Sequence, residues 1–239
     1  MEKVFLTAEW KNLIMANYLI DTAILKNYVP NGTELDSWNG KTFVSMVGFM
    51  FLNTKVLGIP IPFHQNFEEV NLRFYVRYKD EGEWKRGVVF IKEIVPKSAI
   101  AFIANNLYNE NYQSLPMKNE LTKEGDLQKV SYSWKFQNEW NFLKINADSA
   151  SQTIETGSEA EFITEHYWGY TKGKSQNTLE YQVEHPQWNI FPVKDFEMYC
   201  NVAQLYGASF QEFLAEDPHS VFMADGSEII VRKGKRLSL

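Results

Sequence analysis

Phe67-Glu68-Glu69-Val70-Asn71-Leu72-Arg73-Phe74-Tyr75-Val76-Arg77-Tyr78 is the stretch whose reading decides the fold. Val70, Leu72, Phe74, Val76 and Tyr78 fall on one face, and Glu69, Asn71, Arg73, Tyr75 and Arg77 on the other. A period of two is that of a β-strand. The second face mixes an acid, an amide, two arginines and a phenol. In a flat sheet it would meet water, with cross-strand ion pairs to Lys92 or Arg86. In a closed or conical sheet it would line a polar pocket. The alternation alone leaves both readings open.

Working outward, Arg86–Val95 pairs with this strand as an antiparallel hairpin across the polar loop Lys79–Lys85. Upstream, Thr42–Leu52 reads as a strand buried on both faces, and Lys11–Leu25 as strand or short helix. The two prolines of Gly58-Ile59-Pro60-Ile61-Pro62 exclude it from a central strand. It reads as a rigid apolar loop that delivers His64 and Phe67. Downstream, Ser98 is a candidate helix N-cap, with Ile100, Ile103, Ala104 and Leu107 forming an apolar stripe. Met117–Leu121, Lys129–Phe136, Phe142–Ala147 and Thr178–Glu184 alternate like strands, with Gly125 marking a hairpin turn between the first two. Ser158–His166 reads as a short helix capped by its serine, and Val202–Leu214 as a helix interrupted at Gly207. Ser220–Met223 and Ile229–Arg232 are expected to form a last hairpin around Asp225-Gly226. No repeat or composition break divides the 239 residues. The expectation is one mainly antiparallel, mainly β (α+β) domain, 1–239, with a few short helices.

Composition narrows the function classes. The chain is 44% hydrophobic and 15% aromatic with a net charge of -6, enough apolar material for a core and no basic stripe for nucleic acid. The run Arg232–Arg236 reads as a solvated strand end. Cys200 is the single cysteine, which excludes an intrachain disulfide and suits a reducing, cytoplasmic setting. No apolar run reaches the ~18 residues of a membrane span, so no membrane partner is expected.

The common chemistries are missing. His64, His166, His185 and His219 have no metal-ligand spacing, and no metal or other cofactor is expected. There is no nucleophile elbow and no phosphate-cradling glycine loop. Lys92 and Lys118 read first as ordinary exposed lysines. Glu69 and Arg73 lie roughly 13 Å apart along the strand. Such a row suits one polar ligand several atoms long, with the Arg73 fork on a carboxylate.

Phe63-His64 and the motif from Phe67 to Val76 resemble the signature F-x-E-V-N-x-R-x-Y-V of the YqjF-like family of uncharacterised bacterial proteins. Tyr28–Asp36, Val44–Phe49, Leu205-Tyr206-Gly207 and Met223–Ser227 extend the resemblance over most of the chain. By that resemblance the fold is acetoacetate decarboxylase-like: a strongly curved antiparallel sheet closing into a cone or barrel around a pocket. The resemblance matches Glu69 to the decarboxylase's pocket glutamate. It sets Ala104–Tyr112 against the segment that carries the Schiff-base lysine. Tyr112 then occupies the lysine's place, and Asn105 stands where an arginine is usual. A phenol forms no imine, so iminium decarboxylation is not implied.

Three functions follow as expectations. The first is a small-molecule-binding pocket for a polar or carboxylate-bearing ligand, contacted by Arg73, Asn71, Tyr75 and His64. The second is a lysine-independent enzyme on a keto or hydroxy acid, with Glu69 as general acid or base and Tyr112 or His64 assisting. The third is a structural or interaction module with a vestigial pocket, whose Val56–Phe63 loop would mediate a homo-oligomer.

Overall fold

The alternation around Phe67 is realised as one of the three longest runs in a closed ring of seven strands. The computed structural model describes residues 2–173 and 177–237. The ring strands are β1 (Val4–Leu19), β2 (Phe43–Val56), β3 (Phe67–Asp80), β4 (Glu83–Val95), β5 (Trp168–Lys172), β6 (Thr178–Glu184) and β7 (Glu228–Arg232). Neighbours from β1 to β4 pair antiparallel in sequence order. Closure runs from β4 to β5 in parallel through Trp168↔Gly87 and Gly169↔Val88, then on through β6 and β7 back to β1. The β4–β5 seam needs a glycine, because a Cβ at Gly87 would lie 2.5 Å from the Trp168 carbonyl oxygen. Closing the sheet removes the exposed edges that an open sheet would present.

A second antiparallel sheet covers one side of the ring's outer surface. It consists of Met117–Glu124, Leu127–Phe136, Glu139–Asp148 and the later part of Asn189–Tyr199. Tyr132, Trp134, Leu143 and Ile145 from this sheet pack with Ile14, Met46, Val70, Leu72 and Phe74 of the ring. Each such buried aliphatic or aromatic side chain contributes roughly 1.5–3 kcal/mol. The other core lies inside the ring and includes Met15, Val47, Phe49, Phe51, Phe67 and Phe162. Alternate residues of β3 therefore serve two different cores.

Several expectations are met in detail. Thr178–Glu184 is a strand, and Gly125 (φ 62°) turns the hairpin between Met117–Glu124 and Leu127–Phe136. Ser158 caps Glu159–Thr164, accepting from the Glu161 N–H. Gly207 (φ 112°) splits the late helix into Val202–Leu205 and Ala208–Leu214. One open alternative is resolved and two expectations are corrected. The early segment is mostly strand, with the helix confined to Thr22–Leu25 under an Asp21 cap. Ser98 is the first helical residue and not the cap; Lys97 holds that position without a side-chain bond. Ser220–Ala224 and β7 do not form a hairpin, because both pair antiparallel with β1, one after the other along its edge. Asp225-Gly226 is the step between them. A Cβ at Gly226 (φ 72°) would lie 2.0 Å from the Trp10 carbonyl oxygen, so the glycine serves close backbone approach.

Candidate functional site

Across the inner face of the ring, Asn71 of β3 stands opposite Glu93 of β4, and Arg73 opposite Phe90. The register slips between these two pairs, leaving Ile91 as an extra residue on β4. This β-bulge changes which side chains face inward. Val88 and Phe90 point into the ring, and strict alternation would send Lys92 after them. The bulge turns Glu93 inward instead. Lys92 stands opposite the outward Leu72, with its Nζ 3.3 Å from Gln113 Oε1.

The result is a cavity of about 130 Å³ whose lining includes Glu69, Asn71, Arg73, Glu93, Tyr112 and His166. Glu110, Tyr181 and His185 complete its polar surface, with Phe49, Phe51 and Trp10 among the apolar walls. Glu69 (2% exposed) accepts from Asn71 Nδ2 at 2.9 Å through Oε1 and from Tyr112 Oη at 3.0 Å through Oε2. The helix α1 (Ser98–Leu107) and the turn after it deliver Glu110 and Tyr112. Asn105 on α1 clamps the Tyr112 backbone from both sides, donating to its carbonyl at 2.9 Å and accepting from its N–H at 2.7 Å. Tyr112 also sits beside Glu93 in the parallel pairing of Tyr112–Ser114 with β4. Tyr181 Oη donates to Glu110 Oε1 at 2.9 Å.

The electrostatics are unusual. Burial raises Glu69 to about 7, against the hydrogen bonds from Asn71 and Tyr112 and the charge of Arg73. Burial also lifts Glu110 to about 8 despite its bond from Tyr181, with the Glu69 charge adding to the rise. Glu93 is pushed well above the usual carboxylate range by burial and then by Glu110 and Glu69. Desolvation and neighbouring like charge both oppose ionisation. His166 and His185 are each lowered to about 4, chiefly by burial, so both imidazoles are neutral at pH 7. His166 Nε2 lies 3.4 Å from Asp36, which Arg86 holds at 2.7 Å. Arg73 is the one cation in this lining. It is 9% exposed, and its Nε has no partner. Asn71 Oδ1, Glu93 Oε2 and His166 Nδ1 are likewise buried and unpartnered. Buried polar atoms left in this way are costly and uncommon. Here they gather around one space.

Of the residues singled out from the sequence, Glu69, Asn71, Arg73 and Tyr112 share the cavity. Tyr75 points inward but is not part of its lining; its hydroxyl is 2.7 Å from Ser45 Oγ, and its ring packs on Phe162 and His166. His64 lies outside, its Nδ1 2.8 Å from the Pro62 carbonyl, beside a second cavity. Among the described residues the expected cross-strand pairs to Lys92 or Arg86 are not formed: Lys92 meets Gln113, and Arg86 serves Asp36. Lys118 lies 4.5 Å from the Trp140 ring, away from the cavity lining. Glu93, Glu110, His166, Tyr181 and His185 had not been singled out for the pocket. Glu93 could have been found only by placing the bulge, and the others arrive from distant segments. Among the described residues no group of three His, Cys, Asp or Glu side chains could hold a metal ion. No helix among them is long and apolar enough to cross a membrane. Cys200 is half-buried, and burial pushes its thiol up to about 12, away from nucleophilic use.

A family model described as DUF2071, uncharacterized conserved protein, matches residues 7–228. The uncharacterized protein YqjF of Bacillus subtilis (strain 168) is 32% identical over 184 residues, 75% of this chain and 72% of YqjF. Among solved structures, the acetoacetate decarboxylase of Legionella pneumophila superposes with a TM-score of 0.65 at 12% identity, over 97% of this chain and 87% of that one. An acetoacetate decarboxylase-like enzyme from Sphingomonas wittichii RW1 gives 0.67 at 12% identity, over 99% and 94%. The enduracididine biosynthesis enzyme MppR, complexed with pyruvate, gives 0.69 at 11% identity, over 100% and 91%. At these identities the structural likeness is one of fold.

Proposed function

This chain belongs to the DUF2071 family, and from that premise we propose that it binds a small carboxylate-bearing molecule inside the ring. The observation that carries this reading is Arg73, a buried guanidinium whose Nε lacks a partner, lining a half-open and largely apolar cavity. A desolvated guanidinium attracts a carboxylate strongly, and its planar fork can donate twice. Protonated Glu93 and Glu110 remove two charges that would otherwise repel such a ligand. Asn71 and Tyr112 add polar groups that orient it. MppR, a fold relative, is complexed with pyruvate, which makes a 2-keto acid the natural first probe.

The test is calorimetric titration of pyruvate and small hydroxy acids into the wild-type protein and the Arg73→Gln variant. Saturable binding that the variant loses, with its circular dichroism spectrum unchanged, supports the reading. Undiminished binding in Arg73→Gln sinks it.

A second reading rests on Glu69. Its carboxyl is raised to about 7 and held by Tyr112, so it is present in both proton-donating and proton-accepting forms at neutral pH. A general acid or base works best in that range. With a keto acid on Arg73, the Glu69 carboxylate would take a proton from the carbon next to the carbonyl and return it. Exchange of the pyruvate methyl protons for deuterium, followed by proton NMR, tests this step. Exchange should be lost in Glu69→Gln while binding survives; equal exchange in the variant removes Glu69 from any such role. No lysine lines the cavity, so the reading uses no Schiff base.

A further inference from the structure

We infer that the molecule held at Arg73 is an amphipathic monocarboxylate, whose apolar tail passes Glu69 and Tyr112 into a second cavity beneath α1. The inference rests on the carboxylate reading above and extends it to the class of ligand.

The second cavity has a volume of about 200 Å³. Phe51, Val56, Ile61, Phe67, Ile100 and Ile103 give it apolar walls drawn from β2, β3, α1 and the loop after β2. Glu69, Tyr112, Leu6, Phe51 and Ala104 line both cavities. The two spaces are therefore neighbours across the Glu69–Tyr112 pair. The two polar members of the wall, Glu69 and Tyr112, are joined to each other by one 3.0 Å hydrogen bond between side chains. Rotation of the Tyr112 ring would join them without moving the backbone, which Asn105 fixes.

The order of groups along β3 gives the occupant its polarity. Arg73 stands at the far end of the polar cavity, Glu69 at the divide and Phe67 in the apolar space. The Cα atoms of Arg73 and Glu69 are roughly 13 Å apart along the strand, but both side chains reach into one small cavity, so a short acyl chain spans the gap between their end groups. A carboxylate on Arg73 thus places its tail at the divide. Walls of this kind favour contact with an apolar tail over contact with water. Unfilled apolar space is also destabilising, since its walls lack packing partners. One hydroxyl, Thr54 Oγ1, is buried there without a partner, and the remaining surface offers a ligand little but apolar contact.

The experiment is calorimetric titration of straight-chain monocarboxylates from acetate to octanoate into the wild type, Arg73→Gln and Ile103→Trp. Each added methylene that enters the apolar cavity should tighten binding about fourfold, from its transfer free energy. Ile103→Trp should abolish that gain for the longer acids and leave acetate and butanoate unchanged. Should Ile103→Trp not fold, Ala99→Phe, on the exposed first turn of α1, narrows the same space. Affinity that is flat in chain length, or equal losses for short and long acids in the chamber variant, overturns the amphipathic ligand and leaves the Arg73 reading standing. Absence of binding for every acid, or full binding by Arg73→Gln, overturns both.

Discussion

The two faces of β3 solve opposite problems with the same backbone. Outward, Val70, Leu72, Phe74 and Val76 are fully buried against the second sheet and the helices beside it. The unpartnered buried atoms among the described residues of that core are neutral donors, Trp134 Nε1 and Tyr206 Oη. Inward, Glu69, Asn71 and Arg73 are as deeply buried, but the space around them collects unpaired ionisable and amide groups. The outer face earns stability. The inner one gives some of it up, as sites that must meet a ligand commonly do. Burial alone therefore does not mark a core; what marks it is whether the buried polar groups have found partners.

The sharpest way to break this contrast is to truncate both faces. Leu72→Ala should lower unfolding stability by about 2–5 kcal/mol, read from urea denaturation. Arg73→Met, at the next residue and on the other face, should leave stability within about 1 kcal/mol of wild type or raise it, because it removes a buried charge that has no ion-pair partner among the described residues. If Arg73→Met proves as damaging as Leu72→Ala, the inner face is structural and the contrast fails.

The pH dependence is the next effect in size. Glu69, Glu93 and Glu110 have folded-state values raised above the ordinary carboxylate range. Their contribution to stability is therefore complete below that range and is lost as pH rises through the folded values. His166 and His185, lowered to about 4, act in the opposite sense at acid pH. From about one unit above the ordinary histidine value of ~6.5 up to about 8, where Glu110 titrates, the histidines are almost wholly neutral in both states. Stability should fall with rising pH in that window, by up to about 1.4 kcal/mol per pH unit for each carboxyl involved. Glu110→Gln should flatten the slope. An unchanged slope would mean that Glu110 is ionised in the folded protein.

The smallest effect concerns the divide between the cavities. Tyr112→Phe removes a hydrogen bond that favours the Glu69 carboxylate, costing about 0.5–1.5 kcal/mol. Glu69 should then titrate above its value of about 7, as followed by carbon-detected NMR of its side chain. A downward shift would show that the phenol had been excluding water and not stabilising charge.

Much of this was legible in the sequence because the relevant information is local. The alternation of β3 announces the strand, and the resemblance of the same residues to a known signature turns its polar face inward. Gly207, Ser158 and Gly125 mark their breaks and caps through conformations or bonds that one residue determines. What was hidden depends on register or on distant partners. Asp225-Gly226 has the residues of a hairpin turn, yet β1 supplies a continuous edge that both flanking strands prefer to each other. Tyr181 and Glu110 meet across 71 positions of sequence, and no spacing rule links them. Asn105 looked like a lost arginine, whereas its amide is a clamp on Tyr112. Tyr75 shares the phase of Glu69 and Arg73, but Ser45 takes its hydroxyl.

The extra residue at Ile91 has a consequence for how such a cavity can change its chemistry. Lys92 and Glu93 are adjacent in the chain and face opposite ways. The bulge chooses which one the interior receives. Sliding that irregularity past them, by one inserted and one deleted residue, would exchange a buried acid for a buried amine while keeping both side chains in the sequence. An interior equipped for carboxyl chemistry and one equipped with a primary amine are thus separated here by a single step of strand phase, a smaller distance than any substitution of the lining would suggest.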